Sequence, residues 1–217
     1  FSELTIDTTG ELTDQNYEDI KNKMISYAQT CREGAKKQGC NWIDEWYAID
    51  ESTLITASTS NLTDAQKALT NGCGLTYYEY KTAYEKMLKS TYTYGGFWIG
   101  RYEGGIEGSI TDLTKARTDH TDIIIGTSPK AICQEDVIPY NYVTCSEAQS
   151  LANEMTPNSN YTSSLMFGIQ WDLVCKYLEV KGGLSVSEIN EDSSSWGNYR
   201  NIKIENITMG KYAILDT

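Results

Sequence analysis

One histidine, His120, is present in 217 residues, and no two of the six cysteines are spaced as C-x-x-C. Structural zinc wants closely spaced Cys and His ligands, so the spacing argues against a zinc site. No run approaches the roughly 18 apolar residues that a membrane-spanning helix needs. Basic clusters are missing too: 18 Lys and Arg stand against 30 Asp and Glu, for a net charge of −12 and a pI near 4.5, and the longest basic run is the pair Lys36-Lys37. Nucleic-acid binding relies on neutralising phosphates with clustered cations, and this balance argues against it. Familiar catalytic motifs are also absent. There is no G-x-S-x-G, no G-x-x-x-x-G-K-[ST], no H-E-x-x-H and no Gly-rich phosphate turn between a strand and a helix. Neighbouring acids such as Asp44-Glu45 and Glu191-Asp192 are ordinary in so acidic a chain, and the acidity itself reads first as solubility.

What is present describes a globular protein: 40% hydrophobic and 22% charged residues, with length for one substantial core and a helical appendage. Sixteen tyrosines and five tryptophans supply large, rigid contact area with polar tips, the chemistry of paratopes and sugar sites. The cysteines are Cys31, Cys40, Cys73, Cys133, Cys145 and Cys175. Their even count permits full pairing, and Cys31/Cys40 and Cys133/Cys145 are the closest candidates for disulfides. Disulfides would lean toward an extracytoplasmic location. Cys175, in the middle of an apolar helical pattern, reads instead as a small buried hydrophobe. The N-x-[ST] sequons at Asn61, Asn160 and Asn206 arise readily in a chain rich in Asn, Ser and Thr and are taken as incidental.

Along the chain, Asp14 begins a helical pattern of Tyr17, Ile20, Met24, Tyr27 and Cys31, ended by Gly34 and Lys36-Lys37. Trp42, Ile43, Trp46, Tyr47 and Ile49 form an aromatic block that reads as core, in a strand or a short helix. Capping boxes start helices at Thr63-Asp64-Ala65-Gln66, Thr76-Tyr77-Tyr78-Glu79 and Thr144-Cys145-Ser146-Glu147. The second of these is expected to carry Tyr80, Tyr84, Met87 and Leu88 on one side and to end near Ser90. The third carries Ala148, Leu151, Ala152 and Met155 before Pro157. Ser164 is the expected start of a further helix with Leu165, Ile169, Leu173, Tyr177 and Leu178 on its period, and Ser185 opens a last short turn. Those two helices, after Thr144 and Ser164, are expected to pack on one sheet. Phe97, Ile99 and Arg101 alternate with Trp98, Gly100 and Tyr102, which predicts a strand entering the core. From Gly104 to Pro139 the chain is polar apart from the run Ile123 to Gly126, which predicts a long surface excursion.

GGFWIGRYEGG (Gly95 to Gly105), VTCSEAQSLANEM (Val143 to Met155), SSLMFGIQWDLVCKYLE (Ser163 to Glu179) and DSSSWGNYRN (Asp192 to Asn201) follow one another along the chain. In that order they resemble the formylglycine-generating-enzyme-like (sulfatase-modifying-factor) domain, a relative of the C-type lectin fold. The closest resemblance is to a diverged branch of gut Firmicutes and their phages. It runs from about Tyr80 to Thr217 and implies an α+β fold: a partial formylglycine-generating-enzyme-like, C-type-lectin-like domain over 76–217, preceded by a helical N-terminal extension over 1–75. Gln170-Trp171-Asp172 stands where relatives read E-W-E, whereas their preceding R-L-P-T is Ser163-Ser164-Leu165-Met166 here. The family's G-N-V-W-E-W and R-G-G-x-W/Y segments do not occur, and its catalytic cysteines belong to that C-terminal part. The resemblance therefore passes no catalytic role to any cysteine, and no catalytic residue is assigned.

The implied function is a non-catalytic ligand- or receptor-binding display domain of a bacterial surface, appendage or phage protein, extracellular, with a protein or glycan ligand. Trp196, Asn198 and Tyr199, in a Ser/Gly/Asn loop, are the expected contact residues. One alternative is a structural subunit of an extracellular filament or phage tail, a homo-oligomer assembled through the N-terminal helices. Another is a truncated oxidase of the formylglycine-generating type whose active, copper-binding half lies outside the chain. Calcium is common in C-type lectin relatives, but no acidic loop here has a recognisable ligand spacing, so no cofactor or metal ligand is assigned.

Overall fold

The structure, a computed structural model, describes residues 3–37, 77–156 and 160–190. They comprise helices α1 (Asp14–Lys37), α2 (Tyr77–Tyr94), α3 (Cys145–Glu154), α4 (Gly168–Val180) and α5 (Val186–Asn190), with strands β1 (Gly104–Ile106) and β2 (Ala131–Cys133). Two compact units result. One takes in 3–37, 77–98 and 166–190 and holds α1, α2, α4 and α5. The other takes in 99–165 and holds β1, β2 and α3. Packing thus divides the chain differently from the boundary expected at 75/76, because α1 shares its core with α2 and α4. Among the described residues, no helix is long and apolar enough to cross a membrane.

Local chemistry explains the helical unit. Thr13 Oγ1 accepts from the Asn16 N–H at 3.2 Å while Asn16 Oδ1 accepts from the Thr13 N–H at 3.1 Å, a reciprocal cap that satisfies two donors at the start of α1. The buried stripe of α1 is Ile20, Met24, Ala28 and Cys31, while Tyr27 flanks it and is exposed. Ile20 and Met24 meet Leu88 of α2 and Ile169 of α4 in one fully buried cluster. Beside it Phe167 sets its ring edge-on to Tyr80 and Tyr84, with centroids 5.7 and 5.1 Å away, the geometry that aromatic quadrupoles favour. The segment before α1 is tied to α2: the Tyr92 hydroxyl donates to Leu4 O at 2.5 Å and accepts from the Ile6 N–H at 2.9 Å, and Lys89 Nζ donates to Gly10 O at 2.7 Å.

Two helix boundaries differ from the sequence expectation. α2 continues to Tyr94, a turn beyond Ser90, and stops where Gly95 takes φ = 73°. α4 starts at Gly168 rather than Ser164, because Gln170 Oε1 turns back to accept from the Phe167 N–H at 3.0 Å. Leu165 and Met166, expected inside the helix, precede it and are exposed. The boxes at Thr144 and Ser185 do open α3 and α5.

In the second unit β1 pairs antiparallel with β2, Gly104 opposite Cys133 and Ile106 opposite Ala131. Residues 138–140 run along the other side of β1, through Ile106 N–H to Ile138 O at 2.8 Å and Tyr140 N–H to Gly104 O at 2.9 Å. β1 is therefore flanked on both sides. Ile106, Ala131, Ile138, Leu151 and Ala152 are buried, and the buried Ser109 hydroxyl accepts from the Ile138 N–H at 2.8 Å. The strand expected through Phe97 to Tyr102 does not form: only Gly104–Ile106 is paired, and Trp98 is 94% exposed. Alternating side chains are stabilised as a strand only when a neighbour takes their backbone groups, and here the neighbours begin at Gly104. The helices expected to share a sheet separate likewise, α3 with the strands and α4 with α1 and α2.

Ile169→Ala should lower the free energy of unfolding by about 2–5 kcal/mol through a cavity at the four-residue cluster, measured by urea denaturation. Gly105→Ala should also destabilise, by about 1–3 kcal/mol. Its new Cβ would overlap Val137 Cγ2 and come within 3.0 Å of Ile138 O, which cannot move without breaking the bridge beside β1.

Candidate functional site

The expected contact residues Trp196, Asn198 and Tyr199 lie outside the described residues, as does Cys40. Cys31, Cys133, Cys145 and Cys175 are free thiols, so the bridge suggested between Cys133 and Cys145 is not made. Cys133 Sγ is instead engaged by the chain beside β1: it accepts from the Tyr102 N–H at 3.2 Å and donates to Tyr102 O at 3.0 Å. Cys145 is exposed at the first position of α3, whereas Cys31 and Cys175 are buried within α1 and α4. Cys175 is thus buried as its helical setting suggested.

One polar cluster organises the excursion that precedes α3. Glu147, the third residue of α3, accepts four hydrogen bonds. Its Oε2 takes the Thr144 N–H at 2.7 Å, the Thr144 hydroxyl at 2.9 Å and His120 Nε2 at 3.1 Å, and its Oε1 takes the Ile123 N–H at 2.8 Å. The Thr144 and Ile123 N–H groups, with the Thr144 hydroxyl and His120 behind them, hold the Glu147 carboxyl at about 2, well below its usual 4.5. Arg117 works at the same loop. Its Nη2 donates to Thr121 O at 2.6 Å and to Tyr142 O at 2.8 Å, and its guanidinium lies 5.9 Å from the Tyr140 ring centroid. Tyr142 adopts φ = 51°, a left-handed conformation that a bulky residue holds only when its surroundings fix it.

His120, Asp122 and Glu147 bring one ligand atom each to within 4.8 Å of one another, a donor set that a divalent cation can use. Both Glu147 oxygens already serve the cap and the loop, so a cation here would compete with the bonds that start α3. This His120–Glu147 pairing was not visible in the sequence. The only signal was that Glu147 closes a capping box, which predicts its backbone partners but not a histidine 27 residues away.

A second feature lies on α4. Ile169, Asp172 and Cys175 form its buried side. Trp171, Val174 and Leu178 recur at i, i+3 and i+7 away from that side, with Trp171 47% exposed and Tyr177, beside them, 63% exposed. Where α4 meets α1, Lys176 Nζ stands 6.0 Å from the ring centroid of the exposed Tyr27 and pairs with Glu179 at 2.7 Å. Flat rings with a charged border can stack on a sugar ring or cover an apolar side chain. A shallow groove beside α1 is lined by Glu3, Leu4, Asp19, Asn22, Lys23 and Ser26, and its Lys23 and Glu3 pair at 2.7 Å.

No protein-family model, no curated protein and no solved structure matches the chain.

The depressed Glu147 carboxyl has a definite sign in stability. A carboxylate bonded in the native state contributes fully above its unfolded value of 4.5 and loses that contribution as the pH falls toward about 2. The protection factors of the Ile123 and Thr144 amides, exchange referred to the intrinsic rate at each pH, should therefore fall on acidification through that window. In Glu147→Gln both amides should exchange faster already at neutral pH. A Glu147 carboxyl-carbon NMR titration with a midpoint near 4.5 would contradict this account.

Proposed function

We propose that the chain is a non-catalytic ligand- or receptor-binding display domain of a bacterial surface, appendage or phage protein, of the formylglycine-generating-enzyme-like, C-type-lectin-like type. The observation that carries this reading is the outward side of α4. There Trp171 and Tyr177 are exposed on a helix whose other side is anchored by the fully buried Ile169. A rigid helix presenting aromatic rings has little side-chain freedom to lose on binding, which favours affinity per contact. Trp171 is also the central residue of Gln170-Trp171-Asp172, one of the segments that carries the family resemblance. The ligand class is a glycan or an extended protein segment, since both offer faces that stack on indole and phenol rings. An extracellular, cell-surface or virion setting belongs to the same proposal.

Val174 and Leu178 support a second reading, as a subunit of a filament or phage tail. They are half-buried and recur with the exposed Trp171 at i, i+3 and i+7, a partly covered apolar stripe of the kind that buries against other protein. Here the occupant would be a second copy.

Binding of the purified chain to an array of immobilised bacterial and mucin-type oligosaccharides, with intrinsic tryptophan fluorescence as a second readout, tests the first reading. Saturable binding that weakens about tenfold or more in Trp171→Ala, with helical circular dichroism unchanged, is the expected result. Binding insensitive to that substitution would move the site elsewhere. Concentration-dependent sedimentation that disappears in Trp171→Ala, without glycan binding, would favour assembly instead.

A further inference from the structure

The long excursion before α3 and the first turn of that helix meet at one point, and we propose that His120, Asp122 and Glu147 bind a divalent transition cation there, as a clasp between the two. This goes beyond the binding proposal and stands apart from it.

Three side chains from two stretches of chain carry the inference. His120 and Asp122 come from the excursion, and Glu147 from the first turn of α3. One ligand atom of each lies within 4.8 Å of the other two. Two donors on opposite sides of a zinc ion, each at about 2.1 Å, stand roughly 4.2 Å apart, so a small side-chain adjustment lets all three share an ion. The groups that must adjust are free to do so. The His120 side chain is 46% exposed and Asp122 is exposed as well, whereas Glu147, at 15%, is held in place.

The backbone that bears these groups is fixed independently of them. Arg117 Nη2 donates to the carbonyl of Thr121, which stands between His120 and Asp122, and to Tyr142 O, just before the N-cap Thr144. On the other side of Asp122, the Ile123 N–H donates to Glu147 Oε1. The chain on both sides of Asp122 is therefore tied to the entry of α3. An ion finds its ligands already gathered, which lowers the entropic cost of binding.

Donor chemistry selects the ion. One imidazole nitrogen and two carboxylates suit zinc or a neighbouring first-row divalent ion better than calcium or magnesium, which prefer oxygen alone. With three protein ligands the remaining positions belong to water, so this is an open site and not the closed Cys/His type against which the sequence spacing argues. His120 binds as the neutral ring through Nε2, with its proton on Nδ1. The ion then replaces the 3.1 Å hydrogen bond between Nε2 and Glu147 Oε2 and competes with the Thr144 hydroxyl, while the Thr144 and Ile123 N–H bonds remain and keep the start of α3.

His120 is the chain's single histidine, so its imidazole nitrogens in the isotope-labelled full chain need no assignment. After metal is removed with EDTA, zinc chloride is titrated in at neutral pH and those nitrogens are followed by NMR. The expected result is a saturable shift. Asp122→Asn should weaken it about tenfold or more, since losing a ligand costs at least as much as losing an outer-shell partner. Asp122 is exposed, so this variant keeps the fold, which circular dichroism checks. Zinc held by cysteines would leave the imidazole nitrogens unmoved, and nitrogens unmoved at millimolar zinc would overturn the proposal. A shift with the same midpoint in Asp122→Asn would overturn it too, because His120 would then bind alone.

Discussion

Ile169 is where the helical unit closes. Its side chain, fully buried against Ile20, Met24 and Leu88, joins the start of α4 to residues nearly 150 positions earlier. Closing so long a loop costs entropy that local helix propensity cannot offset, so the contact must come from apolar burial. Once Ile169 is inserted, the rotation of α4 about its own axis is set. Asp172 and Cys175 must follow it inward at i+3 and i+6, and Trp171 is turned out. The exposure of Trp171 is therefore a consequence of the core rather than an independent surface choice.

The strand-containing unit depends on a different constraint, the satisfaction of backbone groups in a long polar excursion. Among its described residues there is little regular structure to do this: two three-residue strands, one 3-10 turn (Leu113–Lys115) and one α-helix. Side chains fill the gap. Glu147 takes two backbone N–H groups and a hydroxyl, Arg117 takes two carbonyls, and the buried Ser109 takes the Ile138 N–H. An anionic carboxylate accepts such bonds more strongly than a neutral acid does, which is why the same contacts that order the loop also lower the Glu147 carboxyl.

These two kinds of constraint explain what could be read in the sequence. Helices whose signals are local were legible: the pattern from Asp14, and the caps at Thr144 and Ser185, appear where their residues place them. The strand through Phe97 to Tyr102 was not, because alternation describes a face and leaves the partner unspecified. The partner is set by β2 and residues 138–140, more than 25 residues on. The start of α4 failed for a subtler reason. Ser164 has the right side chain for a cap, yet Gln170 reaches the Phe167 N–H and begins the helix there. His120 is the chain's single histidine, and its bond to Glu147 is tertiary, so no local pattern announces it. Trp196, Asn198 and Tyr199 fall outside the described residues, so the site that the resemblance implied and the site on α4 rest on different parts of the chain.

α4 concentrates the remaining tension in the fold. A helix that is apolar on most of its circumference is usually buried on all sides, but α4 buries one side in its own unit and turns Trp171 and Tyr177 to solvent. Covering a half-exposed indole recovers on the order of 1–2 kcal/mol, enough to favour an occupant without needing one for folding. On the inward side, Asp172 is 3% exposed and lies close enough to Cys175 to act on its thiol, which makes the interface polar and titratable. Buried groups of this kind cost stability unless they specify something that apolar packing does not. Here they lie along the seam between α1 and α4, on the side of α4 away from its exposed aromatic residues. The rigidity of that seam and the presentation of Trp171 are thus properties of one helix.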